Sequence, residues 1–205
     1  DSEARVFARI LFDYFEVTQP DFSQVRRFFH FVDANIGAPN LLTIFNDSYL
    51  LKTTMKCVCL LDGDQKENLD QYTITLPGGN SPEKVIMDYA LCLYDNDSPF
   101  WTAPVILDLN YGKVHFRDNI KPDIDAISST LREHREAGKS IHGIERELRK
   151  KAFIKHQRFF ELLFKHWVND PENADTIHLF YKRLNIMFKK VAEFYGINPK
   201  VWTAN

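Results

Sequence analysis

Apolar residues recur along this chain with the period of a helix in some segments and the period of a strand in others. The helical period predicts a first helix over residues 3–15 and three long helices over residues 123–137, 144–167 and 174–195. A capping Ser81, followed by Pro82 and an acid in the first turn, predicts a further helix that ends near Tyr94.

Strand signals are confined to residues 25–117. The apolar run that begins at Cys57 predicts a buried strand ending at Asp64, and Tyr72–Leu76 alternates as a second strand. Three further predictions are a strand over residues 25–32, a short helix over residues 41–51 after a Gly37–Asn40 turn, and a connector of two strand-like runs, 105–109 and 113–117, joined at Asn110-Tyr111-Gly112.

Together these elements predict an α/β fold, in which a small parallel sheet flanked by helices precedes an α-helical appendage. The change of pattern near residue 120 divides the chain into a sheet-containing domain with its connector, residues 1–118, and a helical region, residues 119–205. The chain begins directly in a helix, so we expect a strand before it in a longer protein.

Charge separates the same two regions. Residues 1–118 carry 10 Lys and Arg against 17 Asp and Glu, whereas residues 119–205 carry 16 against 11, although the formal net charge is only -2. An acidic region suits metal ions and a basic helical region suits phosphate, a combination typical of metal-dependent enzymes that act on nucleic acid. The alternative to a nucleic-acid surface is that the basic residues simply lie on solvated helix faces.

Composition and cysteine usage narrow the class of protein. The chain has 44% hydrophobic and 26% charged residues, with neither an apolar run long enough to span a membrane nor a signal peptide, so a cytoplasmic protein is expected. Its three cysteines, Cys57, Cys59 and Cys92, lack zinc or redox spacing, and we expect reduced core residues.

Asp62 and Asp64 are the strongest candidates for chemistry. In a strand, residues two apart point to the same side, so both carboxylates can converge on one Mg²⁺ or Mn²⁺ ion. Gly63 between them lets a backbone or a phosphate come close. The alternative is an ordinary turn or helix-capping role for each Asp.

Two further acids could join this site. Glu3, close to Asp1, lies at the start of the first helix, where an upstream strand would meet it, and Glu83 follows the Pro77-Gly78-Gly79 strand end. For both, the alternative is favourable interaction with a helix dipole. Nucleotide-binding fingerprints of the G-x-G-x-x-G or G-x-x-x-x-G-K-[ST] type are missing from the sequence.

The predicted helix over residues 144–167 is basic and aromatic. Its cations could stabilise the charge that develops on a phosphodiester during cleavage. The aromatic residues recur at helical spacing, which favours core positions over base stacking, and His156 and His166 are weak candidates for metal ligands.

The chain resembles the Toprim domain of OLD-family (overcoming-lysogenization-defect) nucleases in the order of three motifs. These are an acid-led first helix, a strand ending in Asp62-Gly63-Asp64, and a Leu-Pro-Gly strand end before Pro82-Glu83. Relatives of that family occur in Gabija-like and retron-associated phage-defence systems. The resemblance covers about residues 1–95, and the helical remainder more weakly. It implies an upstream ATPase domain that alone binds ATP, and a parent protein that forms homo-oligomers.

The resemblance also implies roles for individual residues, which are assigned by their positions relative to the family's motifs. It implies metal binding by Glu3, Asp62, Asp64 and Glu83, and a catalytic Lys near the metals. The best match for that residue is Lys155, with Lys151 as a close rival. The leading Glu of the family's first motif would precede Asp1, so activity of this segment alone is in question.

The function implied is divalent-metal-dependent hydrolysis of DNA phosphodiesters in anti-phage defence. The alternative is a non-catalytic module, in which the acids cap helices and the aromatic-rich helical half binds a partner or a second copy. A Toprim domain used for strand passage or primer synthesis is less favoured, because no partner domain with a nucleophilic Tyr is evident in the sequence.

Overall fold

The structure is a computed structural model that describes residues 2–32, 38–47, 56–138 and 140–202. It is mostly helical, with one small sheet of two parallel strands. The helices are α1 (Ser2–Thr18), α2 (Pro20–Val25), α3 (Ala38–Asn46), α4 (Pro82–Asp95), α5 (Pro104–Asp108), α6 (Lys113–His115), α7 (Lys121–Glu136), α8 (His142–Lys155), α9 (Gln157–Asn169) and α10 (Ala174–Phe194). The strands are β1 (Cys59–Leu61) and β2 (Thr73–Thr75).

The sheet pairs β1 with β2 in parallel, with Leu60 opposite Ile74. Both strands are short, and the segment between them contains a 3₁₀ turn at Leu69–Gln71 rather than an α-helix. Because the strands run the same way, the residues that follow β1 and β2 lie at the same edge of the sheet. The structure thus confirms a parallel sheet flanked by helices.

The chain divides into two compact units, residues 1–82 with 168–205, and residues 83–167. This division differs from the boundary at residue 118 that the sequence pattern predicts. Charge and period describe the surface of each segment, whereas compactness depends on which apolar faces meet. In the first unit α10 contacts β2, so the C-terminal helix belongs with the sheet.

An aromatic core fills the first unit. The helical period of α1 buries Phe7, Leu11 and Phe15, each at most 1% exposed. Near the C-terminus, Trp202 is fully buried, and its indole N–H donates to Tyr181 Oη at 2.9 Å. Rings of four residues lie within 6 Å of the Trp202 ring, namely Phe22, Phe29, Tyr181 and Phe188.

The second unit has its own aromatic core, formed largely by α8 and α9. The aromatic residues of this segment are buried, which confirms the core interpretation of their spacing: Phe153, Phe159, Phe160, Phe164 and Trp167. The predicted continuous helix over residues 144–167 is interrupted at His156, whose φ of -118° and ψ of 27° leave the helical region.

Two strand predictions are wrong. Residues 25–32 contain the end of α2 and a 3₁₀ turn, because Pro20 starts a helix whose residues Phe22 and Val25 face the core. The connector, whose two runs, 105–109 and 113–117, look like strands in the sequence, is helical instead. Pro104 begins α5, and the turn at Asn110, with φ 62°, leads to α6 and a π-helical turn at Phe116–Ile120.

The cysteine prediction is correct for Cys59 alone, since Cys57 and Cys92 are exposed. All three are free thiols. Cys57 precedes the short β1 strand and Cys92 lies on an exposed position of α4, so the apolar patterns around them do not bury them. Residues 38–40 of the predicted Gly37–Asn40 turn begin α3 instead, because the helix starts earlier than predicted. Gly37 and the end of the short helix at residues 48–51 lie outside the described residues.

None of the helices formed by the described residues combines the length and the apolar character needed to cross a bilayer.

Candidate functional site

Asp62 and Asp64 directly follow β1. The strand ends at Leu61, three residues earlier than predicted, and the Gln65 N–H donates to the Asp62 carbonyl at 3.1 Å to close a turn. The two acids therefore flank Gly63 in a turn, and the alternation of a strand no longer determines where their side chains point. Asp62 is half-buried, whereas Asp64 is exposed and accepts a hydrogen bond from Gln65 Nε2 at 2.8 Å.

Gly63 holds this turn against the segment that follows β2. Its N–H donates to the Asn80 carbonyl at 3.1 Å, and the Leu76 N–H donates to the Leu61 carbonyl at 2.8 Å. A Cβ at Gly63 would lie 2.8 Å from the carbonyl oxygens of both Leu76 and Asn80. The expectation that Gly63 admits a close backbone is confirmed, and the two acids are fixed beside the Pro77-Gly78-Gly79 turn.

Glu3 is a buried carboxylate in the first turn of α1, at 1% exposure. Its Oε2 has no hydrogen-bond partner among the described residues. Burial of a carboxylate is costly unless a proton, a hydrogen-bond donor or a cation compensates for the lost hydration. Glu3 is therefore chemically suited to the ligand role that the sequence predicts for it.

Glu83 and Lys155 belong to the second unit. Glu83 lies in the first turn of α4 and is 2% exposed. Lys155, at the end of α8, is 61% exposed, and its Nζ lies 2.7 Å from Asp123 Oδ2. Of the four predicted metal ligands, the structure thus places Glu3, Asp62 and Asp64 in the first unit and Glu83 in the second.

Asp123 contacts two basic side chains, Lys155 and His156, and no sequence pattern indicated these contacts. His156 Nε2 lies 2.5 Å from the same Oδ2 atom that Lys155 approaches. Burial acts to raise the pKa of Asp123, but the bonds from Lys155 and His156 outweigh it and leave that pKa below its usual value. These contacts join the start of α7 to the break between α8 and α9.

This contact predicts a pH-dependent contribution to stability. Because the folded-state pKa of Asp123 is lowered, its contribution is complete above the unfolded-state pKa near 4 and is lost as pH falls through the folded value. We expect Asp123→Asn to lower the free energy of unfolding at neutral pH, and the deficit to shrink below about pH 4. Urea denaturation at several pH values measures it.

Asp108→Asn is the matched control, since Asp108 is exposed on α5 of the same unit. It should change stability little at any of these pH values. A deficit for Asp123→Asn that stays constant from neutral to acid pH would contradict the assignment.

The two histidines considered as metal ligands have protein partners instead. His156 contacts Asp123, and His166 Nδ1 lies 2.7 Å from Tyr89 Oη. Over the described residues, the structure contains no group of three or more His, Cys, Asp or Glu side chains placed to hold a metal ion. Metal binding at Asp62 and Asp64 remains a prediction.

A groove of about 610 Å³ in the second unit was not anticipated from the sequence. It lies between the short helices that replaced the predicted hairpin, and its lining includes Asn110, Lys113, His115 and Asp118. Lys113 and Asp118 are ion-paired to Asp97 and Arg117 respectively. The Asn110-Tyr111-Gly112 sequence marked a turn correctly, but it did not reveal which elements the turn joins.

The cations of α8 are partly neutralised on the helix itself. Arg149 bonds Glu145 at 2.8 Å and Lys151 bonds Glu147 at 2.6 Å. The Lys151–Glu147 pair is exposed and contributes little to stability, whereas the Arg149–Glu145 pair is partly buried. The basic face of α8 thus remains a candidate surface for phosphate.

Comparison with known proteins finds no matching family model, no similar curated protein and no similar solved structure.

Proposed function

We propose that this chain is the Toprim-like module of a divalent-metal-dependent DNA endonuclease, resembling those of OLD-family nucleases. The observation that carries the proposal is the position of Asp62 and Asp64 at the carboxyl end of β1, beside the residues that follow a parallel neighbour. Ligands and catalytic acids of open α/β sheets collect at this edge.

The carboxylates of Asp62 and Asp64 suit a cation site that is only partly built from protein ligands. Mg²⁺ is commonly held by one or two carboxylates together with substrate phosphates, rather than by a cage made entirely of protein ligands. Asp62 and Asp64 supply two carboxylates. Glu3, whose buried Oε2 has no hydrogen-bond partner among the described residues, enters the proposal through the resemblance, since the described residues form no group of three acids placed to hold an ion. A site completed by the substrate is consistent with the absence of a larger ligand group from these residues.

When bound there, a divalent cation would supply an activated water and electrostatic stabilisation of the phosphodiester. The protein's own contribution begins with Gly63, whose backbone contacts fix the two acids. Asp62 is half-buried, which reduces the solvation that competes with a cation, and Asp64 is accessible to substrate.

Lys155 is proposed to offset the charge of the transition state. Its Nζ lies 2.7 Å from Asp123 Oδ2, and 61% of the Lys155 side chain is accessible, so the ammonium can approach a phosphate. The basic face of α8 would hold the DNA backbone, and binding should weaken steeply as salt rises.

In this proposal the parent protein is cytoplasmic, forms a homo-oligomer and carries an upstream ATPase domain that alone binds ATP. Glu83 would contribute to a second metal position. These features rest on the resemblance alone.

Plasmid nicking with Mg²⁺ or Mn²⁺ tests the proposal, on this chain and on a longer parent that includes the upstream segment. We expect Asp62→Asn to reduce cleavage by at least 100-fold, on the order of what loss of an essential electrostatic group costs. Asp13→Asn, an exposed acid of α1, is the control and should cleave normally. Cleavage by Asp62→Asn at the control rate would refute the metal role.

Lys155→Met and Lys151→Met distinguish the two candidate cations in the same assay. Both side chains are exposed, at 61% and 69% accessibility, but the partner of Lys155, Asp123, is 31% exposed and the partner of Lys151, Glu147, is 64% exposed, so the stability of both variants is measured alongside cleavage. Loss of cleavage is expected for Lys155→Met alone. The reverse order would move the catalytic role to Lys151.

An assembly module is the second candidate. Three aliphatic side chains of α5 and α6 are more than half exposed, namely Val105, Leu107 and Val114, and such a surface favours contact with a partner. The aromatic residues of α8 and α9 are buried and offer no such surface.

A further inference from the structure

The C-terminal end of α10 presents two accessible aromatic rings. Phe194 is 45% exposed and Tyr195 is 47% exposed, and their ring centroids lie 5.1 Å apart in an edge-to-face arrangement. Both residues belong to the first unit, as does the sheet. Large aromatic side chains are normally covered, so two adjacent exposed rings form a distinctive surface.

A lysine lies against these rings. The Lys56 Nζ is 5.3 Å from the ring centroid of Phe194 and 5.5 Å from that of Tyr72. Tyr195 Oη accepts from the Lys56 N–H at 2.8 Å and donates to the Lys56 carbonyl at 3.2 Å. These bonds tie the Lys56 backbone to the Tyr195 ring, and the group is here called the aromatic–lysine patch (Lys56, Tyr72, Phe194 and Tyr195).

Tyr72 reaches this position at a conformational cost. Its φ of 56° places a bulky residue in the left-handed region, where residues other than glycine are strained. Tyr72 ends the 3₁₀ turn at Leu69–Gln71, and its carbonyl accepts a hydrogen bond from the Cys59 N–H at 2.8 Å. These backbone contacts hold its ring beside the Lys56 ammonium.

The helix that carries Phe194 is rich in basic residues. Residues 182–194 of α10 carry four cations and one acid. Within the described residues, the Lys56 ammonium contacts aromatic rings and has no carboxylate at ion-pair distance. Arg183 and Lys190 of the same helix pair with Glu67 and Asp70, and Lys182, about three turns before Phe194, is exposed.

We infer that the aromatic–lysine patch binds single-stranded nucleic acid. Phe194 and Tyr195 stack on unpaired bases, and Lys56 with the cations of α10 attracts the phosphates. Bases within a duplex are already stacked on one another, so these rings favour a single strand. This binding is independent of the proposed cleavage, because it needs neither Asp62 nor a metal ion.

Fluorescence anisotropy in EDTA tests the inference on the intact chain, because chelation prevents metal-dependent cleavage. The probes are fluorescein-labelled single strands of DNA and of RNA, each of roughly 15 nucleotides, and the matching DNA duplex. Phe194→Leu should weaken binding of a single strand by about tenfold, the effect expected for losing one base stack. Lys56→Met should reduce the magnitude of the log–log salt slope by about 0.7.

Phe28→Leu is the matched control. Phe28 is 38% exposed with the Arg27 guanidinium 5.0 Å from its ring centroid, yet it lies outside the patch, so this variant should bind normally. Unchanged binding by Phe194→Leu, duplex binding as tight as single-strand binding, or no single-strand binding at low salt would each overturn the inference. Preference for DNA or for RNA identifies which single strand is the partner.

Discussion

Replacement of Trp202 by Ala is expected to lower the free energy of unfolding by about 3–5 kcal/mol, the range for truncating a buried Trp. Trp202 is fully buried, and its ring contacts aromatic residues from α2, α10 and the segment after α2. Its loss would also leave Tyr181 Oη without the indole donor. Urea denaturation followed by far-UV circular dichroism measures the change.

Val201→Ala provides the comparison, because Val201 precedes Trp202 and is 37% exposed. It should cost less than about 1 kcal/mol, as is usual for a partly exposed aliphatic. If Trp202→Ala and Val201→Ala were equally mild, the C-terminal segment would not belong to the core of the first unit.

Gly63→Ala should destabilise the chain by about 1–3 kcal/mol, as overpacking against rigid atoms does. The added methyl would lie 2.8 Å from two backbone carbonyl oxygens, neither of which can rotate away as a side chain would. Relief requires separation of the turn at Asp62–Asp64 from the segment after β2. We therefore expect the substitution also to disturb any metal binding at these acids.

Gly143→Ala tests the same chemical change in an open location. Gly143 lies in α8 with no atom within 4 Å of an added Cβ. There Ala should stabilise the helix by up to about 1 kcal/mol. Opposite signs for the two substitutions in thermal unfolding support the packing at Gly63, and equal signs would contradict it.

Periodicity predicted the elements whose apolar faces are long and regular. α1, α4, α7 and α10 begin and end within a few residues of their predicted bounds, because each buries one continuous stripe. β1 and β2 were located correctly by their apolar runs, but both are shorter than predicted. A strand ends where its hydrogen-bonded neighbour ends, which one segment alone cannot show.

The incorrect predictions fall in short apolar runs, which match the period of a helix and the period of a strand equally well. Val105–Leu109 was interpreted as a strand, yet Pro104 provides a helix start and Ile106 alone among its nearest neighbours is buried. The contact of Asp123 with Lys155 and His156 joins residues more than 30 positions apart, and no local pattern encodes it. The sequence pattern placed Asp62 and Asp64 at the edge of the sheet, but it did not predict that they lie in a turn after β1.

Calorimetric titration of the chain with Mn²⁺ tests the central claim most directly, using wild type, Asp62→Asn and the Asp13→Asn control. The metal-site account predicts binding by wild type and by the control, and a loss of at least tenfold in affinity for Asp62→Asn, since one charged ligand is removed. If the chain is an assembly module instead, no Mn²⁺ binding that depends on Asp62 is expected. Equal affinity in all three proteins would contradict the account.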